Sequence, residues 1–347
     1  MFPPKSGVES GISPHAEDRL AVIVPAFKSH YLRAMLESFV AQTDQRFRIY
    51  VADDASPEDL ESIVARFHDQ LDIVYRRFPD NLGHRSPVSH WARAIELSHE
   101  SWLWIFSDDD VVSPECVKAF WTARGMQPDR LGLFRLQAEI IDDSGRRVPH
   151  SIVTDYPTEQ TWEQHIRALT EPNNTQLVVM QNIIFPRSLY LSQGGFEDYP
   201  KAIWTDVVTW PRWAQVAGFH TLAHGKVSFR WHAAGYTGST LHQGGDRSQL
   251  LSLAAPALKD IFALYTRLGI KPPRWGLLNW FARIFRYGSR PLSKNERTAA
   301  FSSLRLVWPH WPIVREAVFW WHAVRPLVRH YRGLKFMALR GLRSRPR

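Results

Sequence analysis

The chain has 347 residues, 44% apolar and 22% charged, which suits one large domain or two modest ones with a substantial core. Its single cysteine, Cys116, excludes an intrachain disulfide framework and a cysteine-rich zinc site, and fits a reducing, cytoplasmic setting. The net charge of +9 is unevenly held: residues 251–347 carry 19 Lys and Arg against three acids, a net +16, while the first 250 carry 24 against 31, a net −7. Such asymmetry points to a basic tail with its own anionic partner.

Residues 1–18 read as a flexible leader rich in Gly, Pro and Ser, with no apolar h-region of a secretory signal. Leu20-Ala-Val-Ile-Val24 is a continuous apolar run closed by Pro25, as expected of a strand buried on both faces. Tyr31 to Gln42 has helical spacing, with Leu32, Met35, Leu36, Phe39 and Val40 on one face. Phe47 to Val51 reads as a second strand, halted by Asp53-Asp54-Ala-Ser-Pro57, and Pro57 is expected to open a helix bearing Leu60, Ile63, Val64 and Phe67. Leu71 to Tyr75 is a third strand, Asn81-Leu-Gly83 a turn, and a helix runs through Trp91 to Leu97. A fourth strand begins at Trp102. Strands alternating with helices make βαβ units, hence a largely parallel, doubly wound α/β sheet.

The fourth strand ends in Asp108, Asp109 and Asp110. Three adjacent carboxylates repel one another, so the segment is either a solvated turn or a site for a divalent cation that prefers oxygen, Mg²⁺ or Mn²⁺. Ligands in α/β sheets bind outside the carboxyl ends of the strands, which would gather Val24 to Phe27, Asp53 to Ser56 and the aspartates around one crevice. The glycine fingerprint of dinucleotide-binding folds and the P-loop are both absent, which leaves a nucleotide diphosphate held through metal. Beyond Asp110, Leu131 to Leu136 is expected to be a strand, Asp142 to Gly145 a turn, Gln176 to Phe185 an apolar stretch, and Val207 to Ala217 a helix. Lys226 to His232 reads as a last strand, and Gly235 to Gly245 as a mobile loop.

Val22-Ile-Val-Pro-Ala26, Val51-Ala-Asp-Asp-Ala-Ser56, Asn81-Leu-Gly83 and Phe106-Ser-Asp-Asp-Asp-Val111 resemble, in order and spacing, the GT-A glycosyltransferases of family 2. The resemblance covers about residues 18–240. It implies a GT-A fold, a Rossmann-like mixed sheet with flanking helices, divided into a nucleotide-binding half over 19–115 and an acceptor half over 116–248. It also implies a nucleotide-sugar donor, Mg²⁺ or Mn²⁺, and inversion at the anomeric carbon. By position, Asp53 and Asp54 would contact the nucleoside, Pro25 and Ala26 would line the base pocket, and Asn81 and Arg85 would approach the base or diphosphate. Asp108 would lie on the donor, with Asp109, Asp110 and His232 at the metal. Ser107 stands where the family motif has its first acid, so the choice of metal ligand stays open among the three aspartates, Asp109 being favoured.

Gly194-Gly195-Phe196-Glu-Asp198 and Trp204-Thr-Asp206 resemble the acceptor-side segment that supplies the family's catalytic base. Asp206 takes that role, with Glu197 and Asp198 as alternatives; a helix N-cap is the structural alternative for Asp206. Trp210-Pro-Arg-Trp213 is similar to the QxxRW signature of processive synthases but lacks the Gln, and reads as helix packing. The loop from Gly235 could close over a bound donor.

The tail from 249 to 347 is expected to be mainly helical, and it holds six of the 15 Trp interleaved with Arg. That composition suits the anionic face of a bilayer, though a helical subdomain packed on the core is the alternative. No apolar run reaches the length of a membrane-spanning helix. These readings together describe a peripheral enzyme on the inner face of the cell membrane, moving sugar to a glycan or lipid-linked acceptor in envelope polysaccharide synthesis. A sugar nucleotidyltransferase is the second enzymatic reading, disfavoured because Pro25 to His30 lacks a Gly-rich loop. A nucleic-acid-binding protein explains the tail but leaves the acidic crevice idle.

Overall fold

The computed structural model describes residues 19–129, 131–148, 154–170, 177–232 and 248–267, with single residues at 269 and 295. The leader, the loop from Gly235 to Gly245 and nearly all of the basic tail lie outside these residues.

Strands β1 (Leu20–Ala26), β2 (Phe47–Asp53), β3 (Ile73–Arg77) and β4 (Trp102–Ile105) pair in parallel in the order β3-β2-β1-β4. Helices α1 (Leu32–Val40), α2 (Glu61–Ala65) and α3 (Pro87–Ile95) connect them. Strand alternation sends Leu20, Val22 and Val24 to one face and Ala21 and Ile23 to the other, and both faces are dry. The first face packs under α1, α2 and α4 (Cys116–Met126). The second packs under α3, α6 (Arg187–Ser192) and α7 (Thr205–Ala217), with Trp210 and Trp213 fully buried against Phe185 and Phe196. Trp210 and Trp213 are therefore packing residues, as expected of a segment that lacks the Gln of the synthase signature.

The other half of the sheet changes direction. Strand β8 (Ile183–Pro186) lies antiparallel to β4, and β6 (Leu133–Ile141) antiparallel to β8. Strand β9 (Phe219–Arg230) then runs parallel to β6, flanked by the two-residue strands β5 (Val111–Val112) and β7 (Glu159–Gln160). Helix α5 (Trp162–Thr170) packs on α7. Within the described residues the result is one mixed nine-stranded sheet.

Two expectations need correction. Pro57 does not open a helix: residues 57–60 turn, and the helix is the short α2, preceded by Asp59, whose Oδ1 accepts Ser62 N–H at 3.0 Å. The last strand begins at Phe219, seven residues before Lys226. Gly225 interrupts the apolar alternation but not the strand. Its φ is +88°, and a Cβ there would lie 2.9 Å from Cys116 Cα, so only glycine lets β9 kink against α4.

The last described helix, α8 (Ser248–Arg267), buries Ala257, Ile261, Leu264 and Tyr265. Tyr199 Oη donates to Asp260 at 2.6 Å and Tyr265 Oη to Ile166 O, so the beginning of the C-terminal region is fastened to the acceptor half. No helix among the described residues is long and apolar enough to cross a membrane.

Candidate active site

The parallel register aligns Ala26 with Asp53 and Asp53 with Arg77, so three strand ends share one row. Pro25 sits beside Ala52 at the same edge, half-buried, and Ala26 is buried. Asp53 is wholly buried, and its oxygens are filled from within the chain. Oδ1 accepts Ser56 N–H at 2.7 Å; Oδ2 accepts Tyr75 Oη–H at 2.6 Å and Arg77 Nη1–H at 2.8 Å. Both donors from β3 lie along a strand whose pairing brings them to Asp53.

Asp54 is just as occupied. Its oxygens accept Leu82 N–H and Gly83 N–H, each at 2.8 Å, and its Oδ1 pairs with Arg93 Nη2. A Cβ on Gly83 would stand 2.6 Å from Asp54 Oδ2, which is why the Asn81-Leu-Gly turn needs its glycine. Asn81 Oδ1 accepts His84 N–H at 2.8 Å and holds the turn from its other side. Arg85 is exposed on the same turn. Arg93 also donates Nε–H to His90 Nδ1 at 3.0 Å and lies 4.0 Å over the Phe78 ring. His90 Nε2–H donates to Ala52 O at 3.1 Å, and burial lowers the His90 pKa, keeping the ring neutral so that Nδ1 can accept.

Each of the three aspartates after β4 is tied to a different segment. Asp108 Oδ2 accepts Phe27 N–H at 2.8 Å and Lys28 N–H at 2.9 Å, closing the loop after β1. Asp109 Oδ2 lies 3.0 Å from His232 Nε2, just past the end of β9. Asp110 Oδ1 accepts Arg230 N–H at 2.7 Å, while its buried Oδ2 has no hydrogen-bond partner among the described residues. Burial and then the Asp109 charge push Asp108 up to about 7, and the same two causes hold Asp110 well above the usual carboxylate range.

A cage of aromatic and basic groups surrounds His232. The Tyr31 ring meets it edge-on at 4.9 Å, and Arg230 lies 4.3 Å over the Tyr31 ring. Arg230 Nε–H donates to Asp109 O at 2.8 Å and Nη1–H to Asp142 O at 2.9 Å, while Tyr31 Oη–H reaches Asp143 Oδ1 at 2.7 Å. Ser107 Oγ accepts from Gln181 Nε2, so the position that departs from the family motif is used in packing. Among the described residues no group of three or more His, Cys, Asp or Glu is arranged to hold a metal ion.

On the acceptor side, α7 begins at Thr205, so Asp206 lies inside its first turn and is not its N-cap. Asp206 Oδ1 accepts Val207 N–H at 2.8 Å, and burial pushes its carboxyl up to about 7. The chain enters this helix through non-glycine residues with positive φ: Lys201 at 58°, Ala202 at 53° and Trp204 at 63°. The alternatives to Asp206 are paired. Glu197 binds Arg212, and Asp198 accepts from Ser86 Oγ at 3.1 Å, which links the acceptor segment to the Asn81–Ser86 turn.

Tyr75, Arg77, His90 and Arg93 were not singled out from the sequence. The signal available was an Arg at the end of β3 beside a buried Asp; for Arg93, a basic residue on the buried side of α3.

The family model described as glycosyl transferase family 2 matches residues 21–190. An uncharacterized glycosyltransferase of Rickettsia prowazekii is 22% identical over 225 residues, covering 65% of this chain and 67% of that protein. A second, from Rickettsia typhi, is 21% identical over the same shares. The crystal structure of S. aureus TarS 1-349 in complex with UDP-GlcNAc superposes with a TM-score of 0.50 at 17% identity, covering 86% of this chain and 92% of that one. At that identity the likeness is one of fold.

Proposed function

We propose, from the premise that this chain is a glycosyltransferase with a family 2 domain over residues 21–190, that it moves a sugar from a nucleoside-diphosphate donor to an acceptor hydroxyl in one inverting displacement. The observation that carries this reading is the contrast between Asp206 and the donor-side acids. Asp53 and Asp54 are filled with protein donors, whereas Asp206 has a backbone bond to Val207 and a pKa near 7. A carboxylate whose pKa lies close to the working pH is suited to take a proton from the attacking hydroxyl. Asp53 and Asp54 fix the donor-side floor from Tyr75 to Gly83, and Asp108 holds the backbone of Phe27 and Lys28 against it. Pro25, Ala26, Asn81 and Arg85 border the same edge.

A divalent cation, Mg²⁺ or Mn²⁺, fits the remaining acids. Asp110 Oδ2 is buried without a donor among the described residues, and the Asp109–His232 pair offers a carboxylate and an imidazole. Of the three expected ligands, Asp109 and His232 lie side by side and would hold the cation, with donor phosphates completing its shell, while Asp110 Oδ1 is taken by Arg230 N–H and only its Oδ2 could join them. When bound it supplies Lewis-acid stabilisation of the charge that develops on the departing diphosphate. Tyr31 and Arg230 keep the His232 ring oriented, and Arg230 fixes the Asp109 backbone.

The acceptor is proposed to be a glycan or lipid-linked sugar of the cell envelope, with the basic residues of 251–347 drawing the enzyme to an anionic membrane surface. Their number, 19 against three acids, supports it. Sedimentation with anionic and neutral vesicles tests this part: salt-sensitive binding to the anionic ones alone is expected, and equal binding to both would refute it.

The central reading is tested by following nucleotide-sugar turnover in wild type and Asp206→Asn. The variant should lose about 10²–10⁴-fold in kcat while retaining nucleotide affinity. NMR of the product should show the inverted anomer; retained configuration or an undiminished kcat in the variant refutes the mechanism.

A further inference from the structure

An open groove of about 460 Å³ lies beside Asp53, lined by Ala55, Arg76, Arg77, Phe78 and Pro79. None of these five carries a side-chain hydrogen-bond acceptor. Asp53 and Asp54 supply none to it, because they are 0% and 3% exposed and their oxygens already receive protein donors. The polar side chains of the groove therefore only donate, and the rest of its lining is apolar.

Arg77 gives this groove its geometry. Half of its side chain is exposed, yet its head is held at two points: Nη1–H on Asp53 Oδ2 at 2.8 Å and Nη2–H on Ser56 O at 2.7 Å. A guanidinium has five N–H donors; Asp53, Ser56 O and the neighbouring Tyr75 hydroxyl draw on them, and those left for a ligand lie in a plane already fixed before binding. The turn that offers Ser56 O is itself set by Ala55, whose φ of 54° is unusual for a residue with a Cβ.

From this geometry we infer that the groove takes the base of the donor nucleotide and that Arg77 selects guanine. This rests on the reading of the chain as a nucleotide-sugar transferase and names its donor class. Guanine presents two adjacent acceptors, O6 and N7, on one edge, which a fixed guanidinium can meet with two parallel bonds. Adenine and cytosine place an amino donor on that edge, facing Arg77 donor to donor. Uracil offers one acceptor, O4, on the corresponding edge, so it makes one such bond where guanine makes two. Phe78, one ring face of which is covered by Arg93, and Pro79 supply the apolar part of the lining against which a purine can rest.

Titration calorimetry of the full chain with GDP, UDP, CDP, ADP and pyrophosphate, in Mn²⁺, tests the inference. GDP should bind at least about tenfold more tightly than the other nucleotides, the scale of one bidentate contact. 7-Deaza-GDP, which lacks the N7 acceptor, should bind the unaltered protein about tenfold more weakly than GDP, with no question of folding. Arg77→Lys keeps a charge beside Asp53 but not the fork; it should erase the GDP preference and leave pyrophosphate binding within about twofold. UDP binding as tightly as GDP, equal affinity for 7-deaza-GDP, or loss of pyrophosphate together with GDP in Arg77→Lys would each overturn guanine selection while leaving a nucleotide-sugar enzyme. Absence of binding by any nucleoside diphosphate overturns the functional reading as well.

Discussion

The two halves of this sheet treat their carboxylates in opposite ways. In the parallel half, Asp53 and Asp54 are buried and saturated with donors: two β3 side chains, three backbone N–H groups and Arg93. Toward the antiparallel half, Asp110 keeps one oxygen without a partner among the described residues, Asp206 has a backbone bond from its neighbour, and burial raises both pKa values. The backbone follows the same division. Among described non-glycine residues, positive φ occurs once before β4, at Ala55, and three times just before α7. One half is settled before any ligand arrives, whereas the other holds groups in states that a ligand can relieve, as reactive sites tend to.

Breaking the settled half should cost the most stability. Asp54→Ala leaves Arg93 and the Leu82 and Gly83 amides without their acceptor, and should destabilise the fold by about 3 kcal/mol in urea unfolding. A change below about 1 kcal/mol would mean that Asp54 is not the anchor of this turn.

Asp206→Asn should act in the opposite direction on stability. Its folded-state pKa of about 7 lies above the ordinary carboxylate value, so between about pH 4 and pH 7 the unfolded chain binds fewer protons than the folded one. The penalty is absent below that window, grows through it and is complete above it. Thermal or urea unfolding should therefore show Asp206→Asn more stable than wild type at pH 8 by at least about 1 kcal/mol, with the gap closing toward pH 4. A pH-independent gap would contradict the buried-acid account.

The smallest effect concerns strain. Ala202→Gly removes a left-handed penalty of about 1–2 kcal/mol but adds the roughly 0.5–1 kcal/mol entropy cost of glycine, for a net gain of about 0.5 kcal/mol. Ala55→Gly should gain as much. If only the Ala202 variant does, the strain is peculiar to the acceptor side.

Much of the parallel half was legible in the sequence. Leu20 to Val24 and Trp102 to Ile105 are continuous apolar runs because both faces of these strands are covered, and a run of that kind needs no knowledge of the partner. The helix carrying Trp210 and Trp213 was also readable from spacing alone. Sequence alone makes β9 short because a glycine inside a strand looks like a stop, whereas Gly225 is required there by its φ of +88° and by the backbone of Cys116, over 100 residues away, which leaves no room for a Cβ. α2 was read long because Pro57 and the acids after it are good helix openers, yet residues 57–60 turn instead.

The candidate site was legible as a set of residues and not as a set of states. Asp53, Asp54, Asp108, Asp109, Asp110 and His232 could be named from order and spacing, since strand ends and motif positions are local properties. Which oxygen is filled, which is left bare and which carboxyl is pushed toward neutrality depend on donors far along the chain, such as His232 for Asp109 and Arg93 for Asp54. The sequence by itself determined the strands, their helices and the acidic strand ends, because those follow from periodicity over a few residues. Only the tertiary structure decided that Arg77 is held at two points beside Asp53 and that burial raises the Asp206 carboxyl. Desolvation and hydrogen bonding act through space, and chain order does not record them.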